Sequence, residues 1–264
     1  MLDPGIYPNL DRADLPPGLS YSGAKDILNC PALYRWKRAN PSAPSEAMET
    51  GTVTHALILD TPQCWRTIDG GRGVTERRKA ARAEGLIPIT TDALATAARM
   101  AVAVRDLPEA ADLLDRCSSE NREVAAIAQD PETGVWVRCY FDALHDGGRY
   151  GVDVKTGREG TLGDFARTAA NLGYDLQAAT YAAVMEWLGQ PIDALLFCIV
   201  ESSEPHFVGV RELDADFLAR GRARLRRALD TYAACVETDT WPGPATYQTI
   251  SAPPWALRAE GIPA

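Results

Sequence analysis

The sequence has little with which to build a zinc ribbon or a disulfide-rich scaffold. Its 6 cysteines lie far apart along the chain, no two of them form a CxxC pair, and the 3 histidines do not cluster at zinc-ligand spacing. Neither class of protein fits this pattern. We expect most of the cysteines to be reduced and buried.

Long apolar runs are also missing. No stretch approaches the roughly 20 consecutive apolar residues that a membrane-spanning helix needs. The opening residues, MLDPGIYPNLDRADLPPG, lack the basic start and following apolar run of a secretion signal. We therefore expect a cytoplasmic protein that does not act at a membrane.

Positive charge is scarce, because 27 Lys and Arg residues face 36 Asp and Glu residues, for a formal net charge of -9. This balance argues against a general polyanion binder, since affinity for a phosphate backbone comes largely from Lys and Arg displacing counterions. Arginine is nevertheless concentrated in residues 71–85 and 219–230. At helical spacing each segment would form either a solvated face or a local basic surface, and we expect residues 71–85 to be polar and mobile.

The periodicity of the apolar residues changes near the middle of the chain. Helices are predicted over SYSGAKDILNCPALYRWKRAN, capped by Ser20 or Ser22 and broken at Pro31, over residues 45–60, and over TDALATAARMAVAVRDLPEAADLLD, interrupted near Pro108. Three short runs separated by turn signals then predict a meander of strands, EVAAIAQD, GVWVRCYFDAL and YGVDVKT. A helix over GYDLQAATYAAVMEWLG, two further strands (DALLFCIVES and HFVGVREL) and a long final helix follow.

This order predicts an α/β fold with a mixed central sheet and helices on both of its faces. We assign the whole chain, 1–264, to one domain. Residues 1–117 form its mainly helical N-terminal part, and residues 118–264 form the sheet core and the C-terminal helix.

The strand YGVDVKTG carries two charged residues on one face. A strand sends residues i and i+2 to the same side, so Asp153 and Lys155 point together while Val152 and Val154 point the other way. Taken alone, the pair could equally be a solvent-facing salt bridge on an amphipathic strand.

Pairing of the three strands in order would bring further carboxylates to this place. Glu123 opens the first strand, and Asp142 lies near the end of the second. Packed carboxylates raise one another's pKa unless a cation is present, and oxygen-rich sites suit Mg²⁺ or Mn²⁺. A lysine beside them can help to deprotonate water or offset charge on a phosphate. The predicted chemistry is metal-assisted phosphodiester hydrolysis.

Several segments together resemble the PD-(D/E)xK nuclease superfamily, and within it the phage and prophage exonucleases of the RecE (exonuclease VIII) type. They are GTVTHALIL, REVAAIAQDPETGVWVRCYFDAL, GVDVKTG, LGYDLQAATYAAVM and TDTWPGPATYQTISAPPWA. The resemblance runs over most of the chain, and it depends on the order and spacing of these pieces rather than on any one of them.

The resemblance implies roles for individual residues. Asp142, Asp153 and the backbone carbonyl of Val154 would be metal ligands together with His55, and Lys155 would be the catalytic lysine. Gln177 and Tyr181 match a QxxxY element that approaches the DNA end or the active site. Alone, His55 could be a buried structural histidine, and Gln177 and Tyr181 could simply pack a helix. Glu123 is a further candidate ligand.

The chain departs from the family pattern at one place. Relatives commonly show Arg-Pro-Asp where this chain has Tyr140-Phe141-Asp142, so a basic group beside the second carboxylate is missing. Arg138, two residues earlier on the same strand face as Tyr140, is the candidate substitute for contacting DNA. Arg77, Arg78 and Lys79 are further candidate DNA contacts.

A related branch of the superfamily holds an iron–sulphur cluster with one cysteine before the core and three after it. Cys30 matches the first position, but only Cys198 and Cys235 follow the core, so we expect no cluster.

The function implied by the resemblance is Mg²⁺-dependent exonuclease digestion of double-stranded DNA ends, 5′ to 3′, in phage-type homologous recombination. It also implies a homo-oligomeric ring and a single-strand annealing protein as partner. Two alternatives remain open at this point. One is a non-catalytic DNA-binding scaffold with a nuclease fold, and the other is an endonuclease or single-strand exonuclease of the same superfamily.

Overall fold

The computed structural model describes residues 4–8, 18–247 and 249–259. Its strands are β1 (Gly5–Pro8), β2 (Trp65–Thr67), β3 (Ile87–Ile89), β4 (Arg122–Gln129), β5 (Trp136–Leu144), β6 (Tyr150–Gly157), β7 (Ala194–Glu201) and β8 (Val208–Arg211). The main sheet has the order β1-β4-β5-β6-β7-β8. Only β6 and β7 are parallel in it, and the other neighbours are antiparallel. The predicted mixed sheet is thus confirmed.

Helices cover both faces of this sheet. They are α1 (Tyr21–Asn29), α2 (Pro31–Ala39), α3 (Glu46–Leu59), α4 (Val74–Ala83), α5 (Thr91–Asp106), α6 (Pro108–Asp115), α7 (Phe165–Leu172), α8 (Tyr174–Trp187), α9 (Ala215–Thr238) and α10 (Pro254–Ala259). One core lies between the sheet and α1, α7, α8 and α9. A second core lies between the opposite face and α3, α5 and α6.

Strand β7 shows why two cores can form on one sheet. Leu195, Phe197 and Ile199 belong to the first core, and Cys198 and Val200 belong to the second. Successive side chains of a strand point to opposite faces, so a continuous apolar run supplies both layers. The central strands are therefore buried from both sides.

Helix boundaries follow the capping residues and prolines of the sequence. The Ser20 side chain accepts a hydrogen bond from the Gly23 N–H at the start of α1, and Ser45 accepts one from Met48 at the start of α3. Pro31 and Pro108 occupy the first turns of α2 and α6, where a missing N–H costs nothing. The predicted breaks at both prolines are confirmed.

Residues 71–85 are the clearest difference from the sequence-based expectation. They were expected to be mobile, but most of them form α4, which is followed by β3, the strand that pairs in parallel with β2 in a small second sheet. The cause is Glu49, a buried residue of α3 whose carboxylate lies 3.2 Å from Arg78 and 2.6 Å from Arg82. These ion pairs fasten α4 to α3.

Sequence patterns also missed α7 and the edge strand β1. Strand β1 pairs with β4 from far upstream in the chain, so no local pattern announces it. Within the described ranges, no helix is long and apolar enough to cross a membrane.

Candidate active site

Strand β6 presents Asp153 and Lys155 on the face that packs toward α8, with Val152 and Val154 in the opposite core. Asp153 is buried, and the Lys155 ammonium nitrogen (Nζ) lies 2.6 Å from its Oδ2 atom. The Tyr174 ring lies beneath the ammonium, with its centroid 4.9 Å from Nζ. The charged pair is therefore an interior feature, which excludes the solvent-facing salt bridge.

Asp142 lies where β5 and β6 separate. Their ladder pairs Leu144 with Gly151 and Ala143 with Val152, and the next step would place Asp142 opposite Asp153. There the backbone pairing stops, and the Asp142 carboxylate accepts the Val154 N–H at 2.7 Å instead. The N–H and C=O of one strand residue point to the same side, so the Val154 carbonyl also faces β5.

Helix α3 brings His55 to the same carboxylate. Its Nδ1 atom lies 3.5 Å from Asp142 Oδ2, an ion-pair distance when the imidazole is protonated. A Cβ added at Gly51 would lie 3.2 Å from the Thr156 hydroxyl, so the small residue allows α3 to approach the end of β6. The histidine and the two aspartates thus reach one place from three elements.

Helix α8 supplies the QxxxY element one turn apart. The Gln177 amide nitrogen (Nε2) donates to Asp153 Oδ1 at 2.6 Å, and Tyr181 donates its hydroxyl to the Tyr140 carbonyl at 2.8 Å. The Tyr181 ring also packs edge-on against Phe141, with centroids 4.8 Å apart. Gln177 therefore orients a carboxylate, whereas Tyr181 anchors the strand that carries Asp142.

Electrostatics keep Asp142 ionised. Burial by itself would raise its pKa, but the His55 imidazole, Lys155 and the Val154 N–H outweigh burial and lower the pKa below the usual value. Burial lowers the pKa of His55, and the Asp142 carboxylate more than compensates, so the net pKa is raised. Each partner stabilises the charged form of the other.

Asp153 and Lys155 behave differently from a simple ion pair. Burial lowers the Lys155 pKa, but Asp153 outweighs burial and the net pKa is raised. The Asp153 pKa is raised as well, because burial and the charge of Asp142 outweigh the attraction of Lys155. When His55 is neutral, two buried carboxylates beside one lysine leave the site short of positive charge.

The donor groups fit a hard divalent cation with few protein ligands. Among the described residues, no three His, Cys, Asp or Glu side chains form a ready metal cluster. Mg²⁺ does not require one, because it keeps several waters and binds through one or two carboxylates. Asp153 Oδ2 and Gln177 Oε1 are buried oxygens that accept no hydrogen bond within the described chain, although Oδ2 keeps its ion pair with Lys155. Among the described residues Gln177 Oε1 has no partner and Asp153 Oδ2 has only Lys155, so both oxygens can still face a cation.

An open cavity of about 320 Å³ unites most of the predicted site residues. Its lining includes His55, Arg138, Tyr140, Asp142, Asp153, Lys155, Gln177 and Tyr181. Glu123 is not part of the lining. It lies opposite Asp142 in the β4–β5 register, but with a φ of 53° it interrupts the ladder between the Arg122 and Val124 pairs.

The basic residues of α4 do not reach this cavity either. Arg78 is committed to Glu46 and Glu49, and Arg77 donates to the backbone carbonyls of Asp69 and Gly70. Lys79 is exposed on the same helix. Contact of these three residues with DNA remains a prediction. Within the structure, the bonds of Arg77 and Arg78 hold the segment in place.

Five residues at the site were not predicted as site residues. Ser20, Tyr21, Ser22 and Cys139 line the cavity, and the Tyr174 ring contacts the Lys155 ammonium. Tyr174 precedes Gln177 by three positions and Tyr181 by seven, the spacing of one helix face, so its signal was present. Tyr21 has no such signal. Its ring approaches Lys155 at 6.0 Å only because α1 folds back over the sheet.

Comparison with known proteins identifies a family whose model matches most of the chain. Residues 20–248 match the model of a family described as "PDDEXK-like domain of unknown function (DUF3799)". A crystal structure from Eubacterium rectale, described as a "Putative exonuclease", is similar with a TM-score of 0.62 and 13% identity, over 92% of this chain and 93% of that chain. At this identity the likeness shows the fold alone. No curated protein matches the chain.

Proposed function

The chain belongs to the PDDEXK-like family that matches residues 20–248, and from that premise we propose that it is a Mg²⁺-dependent exonuclease acting on the ends of double-stranded DNA. Nucleases with a PDDEXK fold generally depend on a divalent metal.

One observation carries the proposal. Two buried aspartates from adjacent strands and a lysine two residues after the second meet at the point where the strands separate. A scaffold that only binds DNA gains nothing from such an arrangement, because buried like charges cost stability unless a cation offsets them. A bound divalent metal would offset the repulsion between the two aspartates, and metal-assisted hydrolysis needs such an ion at this place.

Asp142, Asp153 and the Val154 carbonyl would hold the metal, with His55 next to Asp142. Once bound, the ion would supply Lewis-acid polarisation of the scissile phosphodiester. Asp142 contributes a carboxylate whose lowered pKa favours the ionised form, and the Gln177 amide holds Asp153 in place through the bond to Oδ1.

Lys155 has an electrostatic role in this proposal. Its raised pKa keeps the ammonium protonated near neutral pH, so the side chain stabilises negative charge that develops on the phosphate rather than abstracting a proton. Tyr174 and Tyr21 confine the ammonium from two sides. The lysine is therefore positioned before substrate arrives.

On the resemblance to RecE-type exonucleases, we also propose 5′-to-3′ polarity and a place in phage-type homologous recombination. The working form would be a homo-oligomeric ring that passes its single-stranded product to an annealing protein. Mn²⁺ would also support cleavage in place of Mg²⁺, since both ions prefer oxygen ligands.

The test is degradation of linear duplex DNA labelled at the 5′ or the 3′ end, beside a closed circular duplex, with Mg²⁺ or EDTA. Wild type, Lys155→Ala and Lys25→Ala are compared. Lys25 is the matched control, because its ammonium donates to the Leu172 carbonyl and lies outside the active-site cavity.

We expect metal-dependent loss of linear duplex from its 5′ ends by wild type and Lys25→Ala, with circles spared and Lys155→Ala inactive. Cleavage of circles would instead indicate an endonuclease. If the protein binds DNA but does not cleave it with any of the divalent metals used, the protein is a scaffold and the proposal is overturned.

A further inference from the structure

Phe207 is an exposed aromatic residue at the end of the turn between β7 and β8. Its side chain is 62% exposed, although its neighbours in sequence are the buried His206 and Val208, which packs against the second core. Single exposed apolar side chains are common on protein surfaces, so exposure alone assigns no role to this ring. The position and the anchoring of Phe207 distinguish it.

Strand pairing places Phe207 on the sheet face that carries the active site. The Glu201 N–H donates to the Phe207 carbonyl at 2.9 Å, which extends the β7–β8 ladder by one residue. Side chains two residues apart on a strand share a face, so Phe207 points to the same side as Gly209 would. Gly209 lies opposite Ile199, and Ile199 lies opposite Lys155 in the register with β6. Residues opposite one another project from one face of a sheet. The ring therefore stands on the face of Lys155.

The ring is also close enough to contact a DNA strand held in the active site. Two strand spacings of about 4.8 Å separate β6 from β8, and Phe207 lies two residues, or about 7 Å, beyond the β8 residue in line with Lys155. The two backbone positions are therefore about 12 Å apart. Stacked nucleotides of one strand rise by about 3.4 Å each, so this distance equals roughly three to four nucleotides.

Contacts on both sides hold the turn that carries the ring. His206 has a φ of 59°, in the left-handed region, and its Nδ1 atom lies 3.0 Å from the Glu201 carbonyl oxygen. The Glu204 carboxylate lies 3.5 Å from the Arg99 guanidinium of α5. A residue in a strained backbone conformation persists only where its surroundings over-determine it. Phe207 is therefore presented to solvent on a fixed support.

A nucleobase is the partner that fits a rigid, exposed ring beside a DNA-cleaving site. Bases of any identity stack on aromatic side chains, because every base has a π-face. Inside a duplex the neighbouring bases cover those faces, so the ring can reach only an unpaired base or the last base of an end. Such a contact distinguishes a DNA end from an uninterrupted duplex.

We propose that Phe207 is a base-stacking platform, which holds an unpaired nucleobase of the DNA end while the scissile phosphate lies beside Asp142 and Asp153. The inference rests on the proposed function for the presence of a DNA end, and it adds the residue that contacts the unpaired bases of that end. The platform accepts any base, since stacking does not read the hydrogen-bonding edges. It neutralises no phosphate, so it adds affinity without adding to the salt dependence of binding.

The test measures binding, in EDTA, of fluorescent duplexes with an unpaired 5′ or 3′ overhang of about four nucleotides, the span between Lys155 and Phe207. One version of each overhang has its bases, and the other consists of abasic sites with the same phosphates. Wild type, Phe207→Ala, Phe207→Trp and Val102→Ala are compared. Val102 is the matched control, because it is an apolar residue of similar exposure (56%) on α5, which packs on the opposite face of the sheet.

For the overhang polarity that wild type binds more tightly, we expect Phe207→Ala to bind about tenfold more weakly, the usual loss of one base–aromatic stack. Wild type and Phe207→Ala should bind the abasic overhang equally. Phe207→Trp and Val102→Ala should bind both overhangs like wild type. The Tm of Phe207→Ala should be unchanged, because the ring is exposed.

Equal affinity of wild type and Phe207→Ala for the overhang with bases would overturn the platform. An equal loss on both overhangs would also overturn it, because the ring would then act without contacting a base. If Phe207→Ala leaves DNA binding unchanged and alters the gel-filtration elution volume instead, the ring contacts a second copy of the chain and the platform is again overturned.

Degradation of linear duplex by the same wild-type preparation separates this inference from the proposed function. If wild type degrades linear duplex while the platform fails, the proposed function stands alone. If base-dependent binding through Phe207 is found but wild type degrades no DNA with the divalent metals used, the platform is supported and the nuclease function is overturned.

Discussion

Gln177 illustrates how a buried amide can govern a catalytic carboxylate. Its Nε2 donates to Asp153 Oδ1, while its Oε1 is buried and accepts nothing among the described residues. With Asp153 ionised, the opposite amide orientation would set two oxygens against each other. The residue acts through Asp153 and is a positioning residue.

Replacing Gln177 by Ala should therefore lower the affinity of the site for Mg²⁺ more than it lowers the free energy of unfolding. We expect the Mg²⁺ concentration for half-maximal cleavage to rise about 10–100-fold, which is the usual effect of removing a partner of a metal ligand. Titration of nuclease activity with Mg²⁺ measures this shift. Tyr181→Phe is the comparison, because it removes the hydroxyl that donates to the Tyr140 carbonyl and accepts from Gln177 at 3.4 Å, and it leaves the Gln177–Asp153 hydrogen bond in place. An unchanged midpoint for Gln177→Ala would show that Asp153 is oriented by other groups.

Among elements, α8 and α9 pack more closely than ordinary side chains allow. A Cβ built on Gly221 of α9 would fall well inside the contact distance of the Asp175 carbonyl in α8. Asp175 is buried and pairs with Arg220 at 2.9 Å and Arg224 at 2.6 Å, both from α9. The glycine thus permits the approach that the ion pairs then hold.

Gly221→Ala should destabilise the protein although alanine is the better helix former. Overpacking against backbone cannot be relieved by a rotamer change, and we expect the free energy of unfolding to fall by about 2 kcal/mol. Urea denaturation measures this. Gly243→Ala is the control, because its new Cβ would meet nothing closer than Ala32 at 3.8 Å. A gain in stability for Gly221→Ala would mean that the two helices separate at little cost.

A second contact joins the end of β4 to α9. Asp130 is buried, and Arg226 donates to its two carboxylate oxygens at 3.0 and 2.8 Å. Burial alone would raise the Asp130 pKa, but Arg226 and Thr133 outweigh burial and lower it. Because the pKa of Asp130 is lower in the folded state, its ionisation stabilises the fold at pH values above the unfolded-state pKa. This stabilisation is lost as the pH falls through the folded-state pKa.

Asp130→Asn should therefore cost about 3 kcal/mol near neutral pH, where the buried pair is intact in wild type. The difference from wild type should shrink below about pH 4, as the wild-type carboxylate protonates. Urea denaturation at neutral and acidic pH measures both values. Asp193→Asn, which breaks an exposed pair with Arg149, should have almost no effect. An equal loss at both pH values would contradict the assigned role of ionisation.

For the molecule as a whole, the charge deficit of the active site links metal binding to stability. A ligand that binds only the folded state adds about 2.7 kcal/mol when present at 100 times its Kd. In a protein of this size that corresponds to a rise in Tm of roughly 5–10 °C. Mg²⁺ should therefore stabilise the whole fold.

Thermal unfolding with and without Mg²⁺ checks this coupling. Wild type and Lys25→Ala should show the rise in Tm, and Asp153→Asn should show little or none because one ligand is gone. The same rise in Asp153→Asn would place the stabilising metal elsewhere in the molecule.

The sequence by itself determined the order of the elements, the meander, the prolines that break helices and the facing pair Asp153 and Lys155. These features repeat with local periods of 2 or about 3.6 residues, which a chain displays without its partners. The family resemblance added His55, Gln177 and Tyr181, and all three line the cavity with the aspartates.

Only the tertiary structure decided the features that depend on register and packing between distant segments. It separates β5 from β6 at Asp142, leaves Glu123 out of the cavity, and turns Arg78 inward to Glu49. It also brings Arg38 of α2 beside Arg138 of β5. The physical reason is that burial and charge pairing are set by what each side chain meets, and residues far apart in sequence supply those neighbours.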